Sequence, residues 1–404
     1  MKRARLKGTV AATLGAAALV LSTVSSLTSA PADAVGGGAQ VLHPSHVCTA
    51  VKAGHARCQA EVMVNANGAK PRASTPPAAA LTPDDIQDAY NLSGLSSGGK
   101  TVAIVDAYGY TNLESDLATY RSYFGLPACT KASGCLKVVD ENGGSSLPRM
   151  DVGWAGEQAL DVDAVSAACP DCKIVVVQAK SASFADLGTA VKTAASLSGV
   201  VAISNSYGGS DAADSTYGTY YDHPGIAVTA STGDDGYQGG SYPASSSYVT
   251  AVGGTTLTSS STSRGWSETV WDGAGSGCSS YNTALAAASS YDTGCSKRAM
   301  ADVSAAADPA NGGLAVYFPT SKTQSSWAQV GGTSESAPLI ASVYALGSNS
   351  LSGYPNALPY EHSSSLYDVT SGSNGSCTTA QWCTARSGWD GPTGLGTPNG
   401  AGAF

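Results

Sequence analysis

The sequence predicts an α/β domain with a mostly parallel sheet and helices on both of its faces. Short β-rich runs recur between Thr101 and Phe318, and longer stretches of helical character lie between them. The region that carries them, about 325 residues, is long enough to bury a large single core. No internal repeat interrupts the pattern.

Ahead of this domain the chain opens with Lys2, Arg3, Arg5 and Lys7, followed by an Ala/Leu/Val-rich run to about Leu21. Ser/Thr-rich residues then lead to Ala30 and a cleavage-like Ala32-Asp33-Ala34. This is the pattern of a secretory signal peptide over residues 1–34. No later stretch reaches about eighteen uninterrupted apolar residues, so a secreted, extracellular protein without a membrane segment is expected. Residues 35–80 are rich in Gly, Ala and Pro and end in Ala73-Ser74-Thr75-Pro76-Pro77, which reads as a short prosegment and linker.

From residue 81 the elements follow in order. Thr82-Pro83-Asp84-Asp85 signals a capped helix start. Strands are expected at Thr101–Asp106, Leu136–Val139, Lys173–Gln178, Val200–Asn205, Gly225–Ala230, Tyr248–Val252 and Leu314–Phe318. Helices are expected at 111–123, 155–168, 182–196 and 334–346.

Charged residues make up 13% of the chain, against about 25% in an average domain. From residue 80 onward 28 Asp and Glu face 13 Lys and Arg, which argues against nucleic acid or another polyanion as partner. The ten cysteines fall as sequence neighbours: Cys48/Cys58, Cys129/Cys135, Cys169/Cys172, Cys278/Cys295 and Cys377/Cys383. In an exported chain these read as small-loop disulfides. Cys169-Pro170-Asp171-Cys172 also has the spacing of a redox motif, but it ends a helix where such a site begins one. Zinc would need two further ligands, and none is near in sequence.

Gly331-Gly332-Thr333-Ser334-Glu335-Ser336-Ala337-Pro338 precedes an apolar helical run to Leu346. Two glycines permit a tight path, and Thr333 or Ser334 can cap the helix. Ser334 then sits where N–H groups and the helix dipole favour negative charge, as a nucleophile with a developing oxyanion requires. An ordinary capped helix explains the same residues, so the decision rests on a base. His43, His46 and His55 lie in the prosegment, and His223 and His362 lie in turn-like or Ser-rich loops. No Ser/His/Asp triad is expected, and Asp106 is read as structural or cleft-lining.

The 155–168 helix offers a different base. Glu157 and Asp161 lie about 40° apart on one face, shared with Leu160, Ala164, Val165 and Ala168. Neither has a Lys or Arg three or four residues away. Two unpaired acids on a buried stripe destabilise a helix unless they share a proton or do chemistry. Asp163 points away and is read as a solvated charge.

Ser334 within Gly332-Thr333-Ser334-x-Ser336-x-Pro338, with Glu157-x-x-x-Asp161, resembles the sedolisin (serine-carboxyl) peptidases, which have a subtilisin-like fold. Three further stretches of the sequence are similar to that family. They are Ser231-Thr232-Gly233-Asp234-Asp235-Gly236, Asp302-Val303-Ser304-Ala305-x-x-Asp308-Pro309, and Asp368-Val369-Thr370-Ser371-Gly372 with Gly388-Trp389-Asp390. The resemblance covers about residues 80–404. It implies Ser334 as nucleophile, Glu157 as general base, Asp161 as the group that orients Glu157, and Asp234 as a protonated donor in the oxyanion hole. Asp235 is assigned to a turn. One structural calcium ion is implied, held by the Asp368 and Asp390 carboxylates and by carbonyls of Val369, Arg386 and Gly388, since hard oxygen ligands suit calcium.

The expected protein is therefore a secreted, monomeric zymogen acting on proteins or peptides at acidic pH, by endo- or tripeptidyl-peptidase action. The alternative is a catalytically silent binding protein on the same fold, against which the four site residues argue. An esterase would need a Gly-x-Ser-x-Gly elbow, which Ser334 lacks.

Overall fold

The computed structural model describes residues 41–49, 53–70 and 72–404, and the signal-peptide reading lies outside them. Residues Val41–Phe404 form one compact unit. Its spine is an eight-stranded sheet. Across the sheet the strands run Trp266–Val270, Thr250–Ser259, Ala227–Ser231, Val200–Asn205, Thr101–Ala107, Lys173–Ala179 and Leu136–Asp140, and Val303–Ala306 pairs with Thr250–Ser259. Every pairing is parallel except that of Trp266–Val270, which the sequence reading missed.

Parallel strands need crossovers, and the helices supply them. Leu113–Tyr123, Val152–Ala168, Phe184–Ser196 and Thr333–Leu346 lie within three residues of the expected spans. The helix at Pro83–Ala89 starts at the anticipated cap, where Thr82 and Asp85 form a capping box. Val152–Ala168 is buried on every side from Trp154 to Ala168, as is the whole of Thr333–Leu346. The stripe argument used for Glu157 and Asp161 therefore has to be corrected, because this helix has no solvent face. Asp163 is not solvated. It is 2% exposed and accepts the Tyr317 N–H at 3.1 Å.

A second, antiparallel sheet flanks the helices. Leu314–Pro319 pairs with Ser325–Gly331, which in turn pairs with Glu61–Asn65, and Leu42–His46 forms the edge. The described residues 41–49 and 53–65 are thus packed against the domain. Gly and Pro on either side of them hid the apolar run Val62-Met63-Val64. The cysteines form five local disulfides, pairing each with its sequence neighbour as expected, and Cys169–Cys172 is one of them.

Chain order reverses between Thr101–Ala107 and Val200–Asn205. In an open parallel sheet the crevice beyond the carboxyl ends at such a point is where ligands bind. Asp106 and Ser206 lie at or just past these strand ends, and Asp234 lies just past the end of the neighbouring Ala227–Ser231.

Candidate active site

Ser334 opens the helix Thr333–Leu346 from beneath that crevice. The cap is neither Thr333 nor Ser334 but Gly332, at φ +102°, and no side chain of the turn caps it. The first N–H groups find partners elsewhere. Thr333 N–H donates to Asp234 Oδ1 at 2.8 Å, and Ser334 N–H donates to the Gln59 carbonyl at 3.0 Å. Pro338 lies inside the helix, past its first turn. It has no N–H for the carbonyl four residues back, which is that of Ser334. Ser206 Oγ approaches that carbonyl at 3.3 Å.

Glu157, Asp161 and Ser334 are fully buried, and so is Asp106. Ser206 Oγ donates to Asp161 Oδ1 at 2.7 Å. Among the described residues, both oxygens of Glu157, both of Asp106 and the second oxygen of Asp161 have no donor. Burial drives all three acids well above the usual carboxylate range. Asp161 and then Asp106 push Glu157 further, and Asp106 pushes Asp161. Ser334 lies near enough to temper the rise at Glu157, although its hydroxyl is turned to the Ser206 carbonyl, 3.3 Å away. A buried carboxylate is only an acceptor, so none of the three can serve another as a donor unless it is protonated. Asp106, read from the sequence as structural or cleft-lining, belongs to this group. Its only signal was its position at a strand end.

Asp234 is 5% exposed and contacts Thr333, the residue before Ser334. Oδ1 takes both the N–H and the hydroxyl of Thr333, each at 2.8 Å, while Oδ2 has no partner. Burial first, then Glu61, raises its pKa well above that of an ordinary aspartate. A Cβ built on Gly332 would lie 2.3 Å from the Gln59 carbonyl oxygen and 2.8 Å from Asp234 Oδ2, so glycine there lets the two oxygens converge. Asp235 does more than turn the chain. It ion-pairs with Arg57 and meets His46 Nε2 at 3.2 Å.

Asp368 and Asp390 sit near one another. Asp390 accepts from Thr393 and from the Arg386 N–H, and Gly388 N–H donates to Asp368. Burial, with Asp368 contributing, pushes Asp390 up to about 7. The Arg386 guanidinium turns to Gln381, and among the described residues neither acid forms an ion pair. Cys169, Asp171 and Cys172 also cluster, but the disulfide between the two sulfurs removes them as ligands.

The fold and site define a subtilisin-like hydrolase architecture. The model of the subtilase family matches residues 152–384. Kumamolisin of Bacillus sp. (strain MN-32) is 32% identical over 359 residues, covering 80% of this chain and 62% of that protein. Sedolisin of Pseudomonas sp. (strain 101) is 28% identical over 357 residues, 78% of this chain and 59% of that protein. The solved structure of Pseudomonas sedolisin, a serine-carboxyl proteinase complexed with two molecules of pseudo-iodotyrostatin, superposes with a TM-score of 0.67 at 27% identity. That match covers 80% of this chain and 96% of the other. The chain belongs to the subtilase family, and within it resembles the sedolisins. It spans about three fifths of the length of the two curated relatives named (62% and 59%).

Proposed function

We propose that this chain is a secreted serine-carboxyl peptidase that hydrolyses protein or peptide substrates in acid through an acyl-enzyme. The observation that carries this reading is a set of buried carboxyls with unpartnered oxygens around a serine at a helix N-terminus: Glu157, Asp161 and Asp106 in one group, and Asp234 against the neighbouring Thr333. Ser334 Oγ attacks the substrate carbonyl and passes its proton to Glu157. Asp161, held by Ser206, orients Glu157, and Asp106 helps keep the shared proton within the group. The Ser334 N–H and a protonated Asp234 Oδ2 donate to the oxyanion. One such donor is worth on the order of a hundred- to a thousandfold in rate. Glu157 then returns the proton to the leaving amine, and water hydrolyses the ester.

The test is cleavage of casein between pH 3 and 8. The wild type is expected to work in acid and Ser334→Ala to be silent. Activity that survives in Ser334→Ala would overturn the assignment.

The donor set around Asp368 and Asp390 fits a hard cation, because two facing carboxylates lack a cationic partner. Their carboxylates, with carbonyls of Val369, Arg386 and Gly388, would hold a calcium ion that ties the loop down. Chelation is then expected to lower the melting temperature, since the ion binds only the folded state. An unchanged melting temperature, with no calcium found by metal analysis, would remove it.

A further inference from the structure

We infer that the chain carries its own substrate, with Gln59–Ala60 the bond presented to Ser334 and Gln59 marking the side chain that the specificity pocket selects. This inference rests on the peptidase reading above.

Residues 56–62 cross the crevice as an extended strand. Arg57 and Cys58 pair antiparallel with Gly208 and Tyr207, and Gln59 N–H donates to the Ser206 carbonyl at 3.2 Å. Beyond the bond, Glu61 and Val62 pair antiparallel with Gly331 and Val330, immediately before the nucleophile helix. A peptide added to exposed strand edges is held in this way by its main chain, with pockets left to read alternate side chains. At the centre of this run the Gln59 carbonyl takes the Ser334 N–H and lies beside the unpaired Asp234 Oδ2. That is the carbonyl on which an oxyanion would form.

The Gln59 side chain is 5% exposed. Its Oε1 accepts from Ser231 Oγ. Its Nε2 would be 2.3 Å from a Cβ at position 208, so Gly208 leaves room that any larger residue would fill. Thr232, Gly233 and Gly275 line the same cleft. A hydroxyl contact and glycine walls suit a neutral amide, not a charged or bulky apolar group. The strand also continues N-terminally, where Ala56 N–H donates to the Ala182 carbonyl at 2.8 Å. The cleft is therefore open beyond three residues on that side, which suits an endopeptidase better than a tripeptidyl-peptidase.

In the self-cleavage step Ser334 Oγ bonds to the Gln59 carbonyl carbon and its proton moves to Glu157. The Gln59–Ala60 C–N bond breaks, and the proton goes to the new Ala60 amine. Water then adds to the ester, releasing the Gln59 carboxylate and restoring Ser334. Cys48 and Cys58 are both on the N-terminal side, so their disulfide does not tether the released piece.

The experiment expresses the full chain, incubates it at pH 4 and sequences its N-termini. A new terminus at Ala60, absent from Ser334→Ala, is expected. Gln59→Lys should slow its appearance at least about tenfold, because it buries an unpaired charge in the pocket. The processed enzyme should cut a synthetic peptide of residues 55–64, carrying Cys58→Ser, after Gln59. Ser231→Ala should narrow its preference for Gln over Leu peptides by about fivefold, the worth of one hydrogen bond. Casein cleavage with the Gln59–Ala60 bond intact, or a first terminus elsewhere, overturns this inference and leaves the peptidase reading standing. Failure to cut casein, peptide or self would overturn both.

Discussion

Asp302 and the Asp106/Glu157/Asp161 group are equally hidden from water, all at 0% exposure, yet the fold treats them in opposite ways. Asp302 is held by both arms of the buried Arg298 guanidinium, at 2.8 and 2.5 Å, by the Ala251 N–H at 2.7 Å and by the Tyr360 hydroxyl at 2.7 Å. Among the described residues the other three acids form no ion pair, and five of their six oxygens have no donor. The same chain can thus satisfy a buried carboxylate when structure alone is at stake. Under the proposed function, the carboxyls it leaves unsatisfied beside a serine serve chemistry.

The largest effect should come from the unsatisfied side. Glu157→Gln keeps the shape but cannot accept the serine proton, so turnover should fall by roughly a hundred- to ten-thousandfold or more. Its melting temperature at neutral pH should hold or rise, because a buried acid has been removed. A large loss of stability instead would mean that Glu157 is a structural group and that the contrast with Asp302 is false.

The paired side should break differently. Asp302→Asn leaves Arg298 buried without its counter-charge, at a cost of about 3–5 kcal/mol in stability. Denaturant unfolding reads this directly, and a change within about 0.5 kcal/mol would show that the pair carries little weight.

A smaller effect sharpens the contrast through pH. Asp106, Glu157, Asp161, Asp163, Asp234 and Glu335 are all buried, and burial raises each of them well above its ordinary value. A raised carboxyl pKa favours the protonated fold. That stability is fully present below the unfolded value, near pH 4, and is lost as pH rises through the folded value. The melting temperature should therefore fall from pH 4 to pH 8, and fall less in Asp161→Asn. Asp140 and Asp171 are shifted downward and pull the other way, but both are largely exposed and so contribute little. A melting temperature that rises over this interval would contradict the burial argument.

Much of this was legible in the sequence, for identifiable reasons. The parallel strands and their helices show as β-rich runs and helical stretches, and Glu157, Asp161, Asp234 and Ser334 stand in motifs. Ser325–Gly331 was missed because Ser, Gln and Gly dilute its strand signal, and its partners come from Glu61–Asn65 and Leu314–Pro319. Asp163 was misread because helical phase shows which residues share a face, not whether an opposite face exists. Asp106 joins the carboxyl group only once the sheet brings its strand end to the helix. Gln59 carries no local signal at all, and its place depends on pairing with residues some 150 to 270 positions away, at Ser206, Ser231 and Ser334.

The central claim is that carboxyls in opposite charge states flank Ser334. Glu157 must be able to accept a proton, so activity falls at low pH as it is fully protonated. Asp234 must keep its proton to donate, so activity falls again as pH rises through its raised pKa. The coupled Asp106/Glu157/Asp161 group sheds its first proton well before its last, so the kcat/KM profile should be bell-shaped with its maximum in acid. An amide at 234 donates at any pH. In Asp234→Asn the alkaline limb should therefore move upward, even if the peak drops. A wild-type optimum near pH 8, or an alkaline limb that stays in place in Asp234→Asn, would contradict the account.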